Sequence, residues 1–195
     1  RTLARYYVTW GVFGLLVAGC GLSLVGMYQA AHPEHATLAA ISSRAHAWTT
    51  VVGWMAPVLL GLLGWLLPLL KRSVYSALGM QRRALVWLIP GTVLVAAPAV
   101  LEPMGRGSEI VGTIGWLLCL AAAVEYAALV YRLSVRSLTP SAADLGIQAG
   151  LAWMGATLLL GLAATLGTVF TGRADFMASS EPGIWLGAVF GFAGN

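Results

Sequence analysis

His46-Ala-Trp-Thr-Thr-Val-Val-Gly-Trp-Met-Ala-Pro-Val-Leu-Leu-Gly-Leu-Leu-Gly-Trp-Leu-Leu-Pro-Leu-Leu70 contains no Asp, Glu, Lys or Arg. A helix needs about 20 apolar residues to cross a bilayer, so this run reads as a membrane span with a histidine at its mouth. Imidazole at the edge of a membrane core is costly unless something uses it, and it commonly ligates haem or copper.

Four further runs share this character, so the expected spans are 7–29, 46–70, 84–101, 110–131 and 147–171. A sixth apolar stretch, 183–193, is too short to cross and reads as re-entrant or interfacial. The 195 residues are 59% hydrophobic and 9% charged, against roughly 25% charged in soluble domains. The fold class expected is all-α, a polytopic membrane helix bundle forming a single domain over 1–195. The first run is long and lacks a small-residue cleavage site, so it reads as a span rather than a cleavable signal peptide. Pro90 and Pro98 interrupt the third run and are expected to kink it. Small residues at Gly14 and Ala18, at Gly53, Gly61 and Gly64, and at Ala163 and Gly167 suit close helix packing in lipid. Trp10, Trp48, Trp87 and Trp185 lie near expected interfaces. Cys20 and Cys119 both fall in apolar runs and read as small core residues rather than a disulfide or metal pair.

The net charge is +4, spread over helix ends, which argues against nucleic acid as a partner and for membrane topology. With the N-terminus inside, eight of the eleven basic residues fall on the inner side: Arg1, Arg5, Lys71, Arg72, Arg82, Arg83, Arg132 and Arg136. This bias predicts a cytoplasmic N-terminus, most simply in a bacterial inner membrane. It places His46 at the outer end of the second span. Met27, Glu102 and Met104 fall at the same level.

His32, Glu34 and His35 form a short cluster in the first outer loop. Two imidazoles and a carboxylate this close could bind copper or zinc; a solvated polar loop is the plainer reading. His46 admits three readings: a buried histidine hydrogen-bonded to a neighbouring helix, a haem or metal ligand, or an interfacial side chain facing headgroups. Glu125 is the one acidic residue well inside a span. It reads as part of a proton path, or as a polar contact to another helix or to a basic residue. Nucleophile triads, phosphate loops, Cys-x-x-Cys and His-Glu-x-x-His motifs are all missing from the sequence, which removes the common enzyme classes that depend on them.

The stretch from Tyr6 to Leu70 resembles the first two helices of haem-copper oxidase subunit I, closest to the cbb3-type and nitric-oxide-reductase branch. His46, Gly53, Trp54, Gly61 and Pro68 stand in that family's pattern of an outer histidine, a Gly-aromatic pair, small residues and a helix exit. The likeness covers about a third of the chain. It implies a low-spin haem, haem b, on His46 near the outer face. The family's remaining haem and copper ligands are histidines on later helices, and this chain has none after His46. A binuclear oxygen- or NO-reducing centre is therefore beyond it. One haem is the most it could hold, with Met27 or Met104 as a possible second ligand; a methionine ligand would raise the haem potential. The expected function is an accessory, non-catalytic subunit of a membrane electron-transfer complex, with other membrane subunits and lipids as partners. The alternatives are a structural or assembly subunit holding lipids, pigments or neighbouring subunits, and a small transporter or channel using Glu125.

Overall fold

The computed structural model describes residues 2–32, 49–70, 78–101, 106–134 and 142–171. The described residues are helical almost throughout and contain no strand. They form five rods. The first joins α1 (Thr2–Gly14), a π-helical segment π1 (Leu15–Cys20) and α2 (Gly21–Ala31). The second joins π2 (Thr49–Met55) to α3 (Ala56–Leu70). The others are α4 (Leu78–Leu101), α5 (Arg106–Ser134) and α6 (Ala142–Thr171).

Packing follows chain order. The most extensive interface joins α4 to α5, and α6 lies against α5. The first rod packs on the second through α1, α3 and the two π segments. The two halves meet where α4 touches α1 and π2, with a smaller contact between α3 and α5. One buried cluster runs through the whole, including Tyr7, Leu60, Leu88, Trp116, Tyr126 and Leu158.

The helices outrun the apolar stretches read from sequence. The third expected span opens at 84, whereas α4 begins at Leu78 and carries Gln81, Arg82 and Arg83 in its early turns. Hydropathy finds only the apolar part of a helix; long basic side chains let the polar ends continue it. Two helices, over Gly107–Arg132 and Leu145–Thr171, are long and apolar enough to cross a membrane. The apolar helices described over Leu3–Val17 and Val52–Leu66 are shorter. Pro90 and Pro98 do not end α4, which is helical through both. The segment 183–193, Trp48 and Trp185 lie outside the described residues.

Pro57 gives a physical reason for π2. It has no N–H for the carbonyl four residues back, at Gly53, and its ring crowds that carbonyl. The wide turn ends at Met55, two residues before the proline, and absorbs the misfit. The buried Gly53 carbonyl faces Gly14 of the first rod, where even a single added Cβ would collide with it. Gly14 is thus fixed by backbone contact between rods. Cys119 is buried in the α4–α5 seam, whereas Cys20, at the end of π1, is exposed; both are free thiols. The core reading of Cys20 is therefore corrected: π1 turns its last residue outward.

Candidate functional site

Polar side chains converge at the end of the bundle where α1 begins. Tyr7 lies one and a half turns into α1, and its buried hydroxyl donates to the Gln81 carbonyl on α4, 2.5 Å away. Gln81 is itself buried, and its Nε2 donates to the Gly64 carbonyl on α3 at 3.1 Å. Tyr126 of α5 meets the Tyr7 ring edge-on, with centroids 5.8 Å apart. Four helices are thereby tied at one level.

Gly64 makes this convergence possible. A Cβ placed there would lie 3.1 Å from the Tyr126 hydroxyl and 3.2 Å from Gln81 Oε1. The Tyr126 hydroxyl is buried, and it makes no well-formed hydrogen bond among the described residues. An unmade bond on a buried hydroxyl costs about 1–3 kcal/mol. The ring packs edge-on against Tyr7 of α1, and its hydroxyl sits against Gly64 of α3.

Glu125, the neighbour of Tyr126, faces the other way. Its carboxylate accepts two bonds from Arg83 of α4, from Nε at 2.8 Å and from Nη2 at 3.1 Å. This is the bidentate fork in which a guanidinium best matches a carboxylate. The pair is lateral rather than central, with side chains 58% and 23% exposed for Arg83 and Glu125. Two turns further along α5, Arg132 Nη1 contacts the Met80 sulfur at 3.7 Å. Arg5, Arg82, Arg83 and Arg132 all belong to this end of the bundle.

The other candidates lie at the opposite end or outside the described residues. Met27 is on α2 and 70% exposed. His32 follows α2; its ring stacks on Tyr28 at 4.2 Å, with Nδ1 2.8 Å from the Tyr28 carbonyl. Glu34, His35, His46, Glu102 and Met104 lie outside the described residues. Among the described residues there is no group of three or more His, Cys, Asp or Glu placed to hold a metal. Gly14 against Gly53 brings the first two rods to backbone contact.

Sequence reasoning singled out Glu125 but passed over Tyr7, Gln81, Arg83 and Tyr126 as site residues. The signal available was adjacency: Gln81 precedes two arginines, and Tyr126 follows the only deep acid. Comparison with known protein families, curated proteins and solved structures finds no match.

Proposed function

We propose that this chain is a five-span membrane protein with its N-terminus cytoplasmic, serving as a non-catalytic structural subunit of a larger membrane assembly. The observation that carries the reading is where the apolar side chains point. Val12, Phe13, Leu16, Leu24, Leu62, Val93, Leu117, Val124, Leu159 and Phe170 are all exposed, across all five rods. Water would not tolerate so continuous an apolar surface; lipid and neighbouring helices would. Tyr6, Trp65 and Tyr131 are exposed near the arginine-bearing end, the level at which aromatic rings anchor at a membrane interface. The arginines there agree with a cytoplasmic face.

The bidentate fork from Arg83 ties up Glu125 on the outside of the α4–α5 seam, which favours a structural part over a transport path. That the assembly is of the electron-transfer kind rests on the resemblance around His46 alone, and so does a haem b on that residue.

Topology is tested in a background lacking Cys20 and Cys119. Single cysteines replacing Arg5 and Glu109 are expected to label from opposite faces of sealed membranes. Labelling from one face would overturn the five-span reading. A visible spectrum of the purified protein separates the two kinds of subunit. A scaffold shows no Soret band, and a band lost on His46→Ala would establish the haem-binding alternative instead.

A further inference from the structure

The ion pair Arg83–Glu125 and the neighbouring Arg132 lie together on the outward side of the α4–α5 seam. Arg132 stands seven residues from Glu125 on the same helix, about 10 Å along the axis. The rods here run 24 to 30 residues, about 36–45 Å, which matches a bilayer with its headgroup layers. Glu125 is nine residues from the end of α5 at Ser134 and Arg83 five from the start of α4 at Leu78. That distance puts the charges near the boundary between hydrocarbon and headgroups. Next to them the surface turns apolar: Trp87 lies one turn beyond Arg83, and Ala121 one turn beyond Glu125, with Leu117 exposed after it.

Glu125 pairs with Arg83, which leaves the charge of Arg132 at the outward furrow between the packed helices α4 and α5, beside these apolar side chains. The Arg132 bond within the described residues is to a thioether, a weak acceptor, whereas guanidinium is suited to phosphate oxygens. We propose that this furrow binds one anionic glycerophospholipid of the cytoplasmic leaflet, its phosphodiester on Arg132 and an acyl chain along Trp87, Ala121 and Leu117. A headgroup with one negative charge matches the site. A zwitterionic headgroup brings its own cation and gains nothing from the excess charge. The inference rests on the membrane reading above.

The test uses the full chain, purified in detergent and stripped of lipid. It is then mixed with phosphatidylglycerol, phosphatidylcholine or water-soluble glycerol phosphate, and bound lipid is counted by native mass spectrometry. Wild type is expected to retain one phosphatidylglycerol that Arg132→Gln binds roughly fivefold more weakly, the worth of one basic residue near an anionic lipid. Arg5→Gln, which removes a charge from α1 outside the furrow, is expected to retain it. A brominated phosphatidylglycerol should quench fluorescence less in Trp87→Phe than in wild type, which places the lipid in the furrow. Equal retention by wild type and Arg132→Gln, or equal retention of phosphatidylcholine, would overturn the proposal. So would binding of glycerol phosphate as tight as that of the lipid. Failure of the topology experiment would show itself separately, as one-sided labelling.

Discussion

α5 and α2 are both rich in small and apolar residues, yet one is the centre of the bundle and the other its margin. α5 buries Trp116, Cys119, Ala122, Tyr126 and Leu129 and packs against both α4 and α6. α2 exposes Leu24, Val25, Met27 and Tyr28. The difference lies in what faces their glycines. A Cβ on Gly115 of α5 would come 2.5 Å from the Val95 nitrogen, and one on Gly91 of α4 would come 2.8 Å from Cys119 Sγ. Around Gly21 and Gly26 of α2 there is nothing within 4 Å. In lipid, apolar burial does not drive helices together, so a glycine that meets a backbone marks a real interface and composition alone does not.

The sharpest way to break this contrast is Gly115→Leu against Gly26→Leu. At 115 the first added carbon already overlaps α4 backbone, which cannot swing aside as a side-chain tip can. The α4–α5 seam must open along its length, so loss of monodisperse protein is expected on fluorescence-detected size exclusion. The milder Gly115→Ala is expected to destabilise by about 1–3 kcal/mol, as overpacking does. Gly26→Leu should stay within about 0.5 kcal/mol of wild type, as surface substitutions do. A thermal melt in detergent in which the two leucine variants behave alike would remove the distinction between packed and open glycines.

A second pair sharpens the comparison within tryptophans. Trp116 is 2% exposed and fills the space left by Gly161, where a Cβ would lie 2.6 Å from its ring. Trp153 is exposed on α6. Trp116→Ala leaves a cavity between α5 and α6 and is expected to cost about 3–5 kcal/mol. Trp153→Ala should change the melting temperature little. Comparable losses would show that α6 has a partner on its outer side in the detergent-solubilised protein.

The sequence made the helices legible because apolar runs of 18 to 25 residues admit few other structures, and each described rod overlaps one such run. It did not reveal where the helices begin. Gln81, Arg82 and Arg83 are polar by any scale but sit in regular helix, because bonds to Gly64 and Glu125 and the open bundle end accommodate them. Nor did it show which glycines mattered. Gly14, Gly53, Gly61 and Gly64 were readable as a packing face, and each does meet a neighbour. Gly91, Gly115 and Gly161 carry the other seams without any local pattern to mark them, since their partners are far away in sequence. The polar cluster was half legible: an acid inside an apolar run is conspicuous, whereas Tyr7 and Tyr126 look like ordinary aromatic residues until they share a level. His46, the most conspicuous residue of all, lies outside the described residues.

The smallest expected effect concerns the tie between the two halves. Tyr7→Phe keeps the ring that meets Tyr126 and removes only the hydroxyl that donates to the Gln81 carbonyl. Interhelical hydrogen bonds in membranes average about 0.6 kcal/mol, because the separated helices also find partners. A loss of that order is expected in reversible unfolding. Tyr126→Phe removes a buried hydroxyl that makes no well-formed bond, so it should be neutral or slightly stabilising. The two variants differ by one oxygen each, at one level of one bundle, and the loss in one without a loss in the other separates a bond that holds α1 to α4 from a ring that packs. Equal losses would show that the Tyr126 hydroxyl has a partner after all, most simply the neighbouring Tyr7 hydroxyl, and would make the cluster a closed polar network rather than an open one.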